Sequence, residues 1–108
     1  MIKTKDWEAW IDTQPGPGKT PRLFVTGQVE TTNGAIVPVL TKREPQGINE
    51  TILILDLTIE DTGKPGTDDV AFRDARYEEE VAGPDAYKQV DIQYENEQVA
   101  LIEVSVTS

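Results

Sequence analysis

Short runs in which hydrophobic and polar residues alternate recur along the chain, separated by turn-forming residues. In residues 22–31, RLFVTGQVET, the alternation places Leu23, Val25 and Val29 on one face. A period of two residues is typical of a half-buried β-strand. Gly27 stands inside this run, which indicates a β-bulge or the close approach of another part of the chain.

Two further runs in the first half of the chain also predict strands. AIVPVLTK (35–42) follows Asn33-Gly34, a favoured tight-turn pair. Pro38 lacks the N–H that a sheet ladder needs, so this strand is expected at an edge or at a bulge. TILILDLTIE (51–60) is apolar on both faces at its start and on one face at its end, which predicts a strand running from core to surface. Its core face consists of Leu53, Leu55, Leu57 and Ile59.

The end of the chain predicts a β-hairpin. AYKQVDIQY alternates Val90, Ile92 and Tyr94 against polar residues, and QVALIEVSV alternates a second apolar set. The stretch Glu95–Glu97 joins the two runs and has a length common among hairpin loops. The second apolar set is Ala100, Ile102, Val104 and Val106.

Two stretches carry less regular patterns. VAFRDARYEEEV (70–81) predicts a strand with Val70 and Phe72 facing inward before its charged end. TKDWEAWID (4–12) fits a short helix or a strand. We favour the strand because the Pro-Gly-Pro-Gly that follows leaves too little length for a stable helix. That strand would turn Trp10 outward and place on its inward face Trp7, Ala9 and Ile11.

These runs together define an all-β fold class, because no convincing helical period occurs in the 108 residues. The expected architecture is one domain over residues 1–108. It is an antiparallel β-sandwich of six to seven strands and of immunoglobulin-like size. A small β-barrel is the alternative. The likeness in size implies no function, since the cysteine pair of true immunoglobulin domains is absent from the sequence.

The composition excludes several kinds of site. The chain has no cysteine and no histidine. Disulfides, thiolate metal sites and every Ser-His or Cys-His catalytic arrangement are therefore excluded. The sequence contains no secretory leader pattern and no run of the roughly 18 apolar residues that a membrane span needs. The cytoplasm is the default expectation for its location.

The charge is strongly negative and unevenly placed. Of the net charge of −10, none arises in residues 1–55, while residues 56–108 contain fourteen acids and four bases. Nucleic acids and anionic membranes are bound through clustered lysine and arginine. Neither is expected as a partner, whereas a basic protein or a divalent cation is compatible with this charge.

The stretch TQPGPGKTPR (13–22) contains Gly-Lys-Thr and invites comparison with a phosphate-binding loop. That loop needs a first glycine and a series of backbone N–H donors. Thr13 takes the place of the glycine, and Pro15 and Pro17 remove two donors. Pro21 disfavours the helix that must follow. We interpret the stretch as a stiff connection and expect no nucleotide and no other cofactor.

Acidic residues 60–69, EDTGKPGTDD, form a loop that offers oxygen ligands to a hard cation such as Ca²⁺. The weak candidate ligands are Asp61, Asp68 and Asp69. Lys64 in the middle of the loop opposes cation binding. Solvated turn residues are therefore the favoured interpretation of these acids.

A second acidic run, Glu78–Glu80, places Glu78 and Glu80 on one strand face and Glu79 on the other. Crowded like charges weaken a strand unless bases lie opposite. One interpretation pairs them across a sheet with Lys42, Arg43 or Arg22. A second is an edge guarded against aggregation. A third, functional interpretation is a docking surface for a basic protein.

The sequence alone favours a non-catalytic, acidic protein-interaction or structural module. It would bind protein through the Glu78–Glu80 face or through an open sheet edge such as the one that carries Pro38. The alternative is a Ca²⁺-dependent carbohydrate-binding or adhesion-type sandwich that uses the 60–69 loop. A small hydrolase without histidine and cysteine is the third hypothesis, and it requires a partly buried pair of carboxylates in a cleft.

Overall fold

A computed structural model describes residues 2–13, 20–66 and 68–107, and its regular elements are all β-strands. The region 4–12, for which the sequence left helix and strand open, is a strand, as favoured. The strands are β1 Thr4–Asp12, β2 Arg22–Thr31, β3 Ile36–Lys42, β4 Ile52–Asp61, β5 Ala71–Glu80, β6 Gln89–Tyr94 and β7 Glu97–Thr107.

The strands form one mixed sheet in the order β3-β4-β6-β7-β1-β2-β5. β7 links the two halves of the sheet, because its first part pairs with β6 and its last four residues, Val104–Thr107, pair with β1. The β1–β7 and β4–β6 pairs are parallel. The prediction of a purely antiparallel fold was therefore wrong at these two pairs, while the all-β class and the number of strands are confirmed.

The sheet curls until its two edge strands come close together. Cα atoms of β3 and β5 lie within 8 Å of each other although no ladder joins these strands. One nearly closed sheet fits the small barrel, the alternative architecture, better than two packed antiparallel sheets. Pro38 lies on edge strand β3, as predicted, because the edge is where a missing N–H breaks no ladder bond.

The core lies inside this curled sheet and is built from alternate residues of its strands. Leu23, Val25 and Val29 are fully buried, as the alternation predicted. Each buried aliphatic side chain contributes about 1.5–3 kcal/mol. The remaining buried apolar residues are Ala9, Ile11, Leu40, Leu53, Leu55, Leu57, Ala75, Val81, Val90 and Ile92.

The face of β5 that packs against the core is the opposite of the one predicted from the sequence. Val70 is 64% exposed, and Phe72 is half-buried with the Lys5 ammonium 4.3 Å from its ring centre. The inward positions begin at Arg73 and Ala75. The prediction of Val70 and Phe72 as inward residues was wrong. Arg73 is accommodated on the inner face because its guanidinium donates to the backbone oxygen and hydroxyl of Thr31 and pairs with Asp69.

The β6–β7 hairpin is confirmed, with a connection one residue shorter than predicted. Tyr94 pairs with Glu97, so the turn consists of Glu95 and Asn96 alone. Both residues have positive φ angles, 51° and 66°. This left-handed geometry matches the twist of the flanking strands and makes a two-residue hairpin tight.

Candidate functional site

Among the grooves of the described residues, the one with the most apolar lining lies at the end of the barrel-like body, where the β6–β7 turn lies. We call it the mouth groove. Its floor consists of half-buried apolar side chains from four different strands. They are Ile36 of β3, Ile59 of β4, Tyr94 of β6 and Val99 of β7.

Glutamates form the rim of the mouth groove. Glu30, at the end of β2, is half-buried, while Glu95 and Glu97 at the hairpin tip are exposed. The described lining residues include no lysine or arginine. The groove has a volume of about 610 Å³. That volume is enough for a few side chains of a ligand. An apolar floor below an anionic rim suits a cationic, partly apolar ligand.

The conformation of Glu95 on this rim is unusual. A positive φ of 51° is disfavoured for a residue with a long side chain and costs of order 1–3 kcal/mol. Asn or Gly would adopt it more readily. Such strain accumulates at functional sites, and here it places a carboxylate beside the apolar floor.

A second depression lies on the outer side of the same hairpin tip and shares Ile59, Tyr94 and Glu95 with the mouth groove. Arg43 spans it, with its Nε 3.0 and 3.2 Å from the two carboxylate oxygens of Asp56. The hydrogen bond to Asp56 raises the pKa of Arg43. Arg43 also donates to Asn96 at 3.4 Å, so this bidentate pair helps to position the turn.

A polar cluster closes the seam between edge strands β3 and β5. The Lys42 ammonium lies 3.5 Å from the Glu79 carboxylate, and the hydroxyls of Tyr77 and Tyr87 donate to the same carboxylate. Burial, and then the hydrogen bond to Glu79, raise the pKa of Tyr77 well above its ordinary value. Lys42 also donates to the Tyr87 hydroxyl, and this bond raises the pKa of Lys42.

The predicted acidic face at Glu78–Glu80 is divided by the strand alternation and matched by bases. Glu78 and Glu80 lie on the outer face and share Arg22 of β2, at 3.4 and 3.5 Å. Glu79 points to the seam and Lys42. Of the three bases considered as alternative partners for this run, Arg22 and Lys42 pair with it. Arg43 pairs with Asp56 instead.

The predicted cation ligands lie at the end of β4 and on the β4–β5 loop, and they separate into two groups. Asp61 and Asp68 line one shallow depression together with Lys64. Asp61 accepts the Gly63 N–H at 2.9 Å, and Asp69 lies 3.1 Å from Arg73. Within residues 2–13, 20–66 and 68–107, no three acids approach closely enough to hold a metal ion. The structure therefore does not bring the three candidates together.

One pair of aromatic side chains stacks across neighbouring strands. Trp10 stacks on Phe24 of the neighbouring strand, with ring centres 5.5 Å apart and 23° between the planes. The facing sides of the two rings cover each other, which leaves less flat surface for a sugar. Most of the Gly-Lys-Thr stretch, residues 14–19, lies outside the described residues, and its interpretation remains a sequence argument.

Comparison with known proteins shows no matching family model, no similar curated protein and no similar solved structure. No helix in the described ranges has the length and apolar character to cross a membrane.

Proposed function

We propose that this protein is a non-catalytic interaction module that binds a basic segment of a partner protein in the mouth groove. The observation that supports the proposal is the apolar floor at Ile36, Ile59 and Val99 beneath a rim of glutamates, with no base among the described lining residues. The floor supplies buried apolar area. The rim favours lysine and arginine and speeds their encounter.

The mouth groove is a better candidate for this role than the Glu78–Glu80 face. On that face a partner's lysine would compete with Arg22, which already pairs with both outer glutamates. Exposed pairs of this kind contribute 1 kcal/mol or less, so competition is feasible but yields little net affinity. At the groove rim no such competitor is present among the described lining residues.

Peptide binding tests the proposal. An array of heptapeptides that combine lysine or arginine with valine, leucine or tyrosine is screened at low ionic strength, with acidic peptides of matched pattern as controls. Some basic peptides are expected to bind, with an affinity that falls as salt is added. Absence of binding to every basic peptide would contradict the proposed function.

A matched pair of charge variants locates the site. One double variant combines Glu95→Gln with Glu97→Gln, and the other combines Glu78→Gln with Glu80→Gln. Each double variant removes two exposed charges. The first variant is expected to weaken the best peptide about fivefold or more, and the second less than about twofold. Equal losses would mean that only the overall charge matters. A larger loss in the second variant would move the site to the outer face of β5.

A further inference from the structure

The mouth groove exists because β6 is shorter than the strand beside it. β4 extends over Ile52–Asp61, but its parallel ladder with β6 covers only Ile52–Asp56. By this register Tyr94, the last residue of β6, lies beside Leu57, and on that side no described strand lies next to Thr58–Asp61. We call these four residues the free edge of β4.

Backbone alternation shows which groups the free edge presents. The Arg43 N–H donates to the Ile54 oxygen at 3.1 Å, so Ile54 directs its backbone groups towards β3. Successive residues of a strand point these groups to opposite sides. Ile59 and Asp61 therefore direct their N–H and C=O groups to the side where β6 has ended. Thr58 and Glu60 direct theirs to β3.

Both depressions flank the free edge. The mouth groove lies on its inner side. The second depression, which Arg43 spans, lies on its outer side, and the two meet at Ile59, Tyr94 and Glu95. The space between them continues the line of β6 beyond Tyr94. A segment lying there would meet, on one side, backbone groups of Ile59 and Asp61 that have no partner among the described residues, and below it the apolar floor of the groove.

Two other places in the sheet are less suitable for an added strand. The β3–β5 seam brings Cα atoms within 8 Å. An inserted strand needs about 9.5 Å between its two neighbours. In β1 the register shifts between Lys5 and Glu8, and Asp6 has a φ of 56°. A bulge of this kind disrupts regular pairing. The free edge of β4 has neither obstacle.

From this geometry we infer that the partner segment binds as an extended strand added to the free edge of β4. The inference rests on the proposed function. Alternate side chains of the segment point down to Ile59 and Val99, and its basic side chains reach Glu95 and Glu97. A second copy of this chain is not the occupant, because the free edge carries Glu60 and Asp61 and its own acids would repel those of the copy.

Amide-resolved hydrogen exchange tests the inference on the unmodified protein. The probe is the tightest array peptide with alternating basic and apolar residues. At saturation the amides of Ile59 and Asp61 are expected to exchange at least about tenfold more slowly than in the free protein. Thr58 and Glu60 serve as internal controls, since their amides already face β3, and their exchange is expected to change far less.

Methylation of peptide nitrogens gives a second readout. N-methylation at every other position is expected to weaken binding about tenfold in one register and little in the other, because only alternate N–H groups face β4. If basic peptides bind without protecting Ile59 and Asp61, or with no register dependence, strand addition is wrong while the proposed function stands. If no basic peptide binds, both fail.

Discussion

The six-membered ring of Trp7 occupies the space that a side chain at position 27 would need. Trp7 and Asp6 bulge out of register between the pairs Lys5–Gln28 and Glu8–Thr26, directly opposite Gly27. The glycine thus provides the close approach that its place in the strand pattern indicated. The indole N–H is buried without an acceptor among the described residues, so the ring is held by packing.

Replacement of Gly27 by alanine is expected to destabilise the fold. The new Cβ would overlap the Trp7 ring, and relief of such overpacking costs about 1–3 kcal/mol. Gly83→Ala is the control, because nothing lies within 4 Å of a Cβ there. Denaturant unfolding of the two variants checks the prediction. Equal stabilities would show that the ring moves aside freely.

The seam predicts a loss of stability at alkaline pH. The pKa values of Tyr77 and Lys42 are raised in the folded state, so this state keeps protons that the unfolded chain releases near pH 10. Their contribution to the free energy of unfolding is complete below that pH and declines as pH rises above it.

In Tyr77→Phe the hydrogen bond to Glu79 is lost, which costs about 1 kcal/mol at neutral pH. Denaturant unfolding is measured for wild type and variant from pH 7 to 11.

The difference in unfolding free energy between wild type and Tyr77→Phe is expected to narrow above about pH 10. Above that pH the folded wild type still holds the Tyr77 proton while its unfolded chain has released it, so the wild type loses this stability as pH rises and the variant, which lacks this group, does not. A gap that stays constant or widens with rising pH would contradict the assignment of Tyr77 to the seam cluster.

Glu95→Asn is expected to separate stability from binding. Asparagine tolerates the positive φ at this turn position better, so the variant should be more stable by about 0.5–1 kcal/mol. It also removes one rim charge, so its affinity for basic peptides should fall by roughly twofold or more. Thermal melts and peptide titrations on the same samples measure the two effects. A variant that is less stable than wild type would refute the strain at Glu95.

Calcium is expected to give no specific stabilisation. Asp69 pairs with Arg73, and Asp61 and Asp68 share their depression with Lys64. Melts with calcium, magnesium and sodium chloride at matched ionic strength should show the same small shift from screening. A rise of about 10 °C with calcium alone would instead establish a cation site in the 60–69 loop.

Much of the core could be predicted from the sequence because alternation reports burial directly. Leu53, Leu55 and Leu57 line the core as predicted, and so do Val90 and Ile92. The rule failed on β5, whose inward face carries Arg73 and Glu79. These side chains are polar, but they bind partners on other strands. The sequence of β5 by itself does not indicate those partners.

The overall architecture was harder to predict because two of its strand pairs join strands that are distant in sequence. Antiparallel neighbours joined by short turns leave a local signal, as the β6–β7 hairpin does. The parallel pairs β1–β7 and β4–β6 join strands that are distant in sequence. Their pairing depends on how the whole sheet curls. The mouth groove results from the β4–β6 register, so no sequence motif pointed to it.

The most direct test of the account maps amide chemical shifts of the protein while the best basic peptide is added. The largest changes are expected around the mouth groove, at Ile36, Ile59, Glu95 and Val99, while residues 78–80 are expected to change little. Changes centred on Glu78–Glu80, or spread evenly over the acidic surface, would contradict the claim that the groove is the binding site.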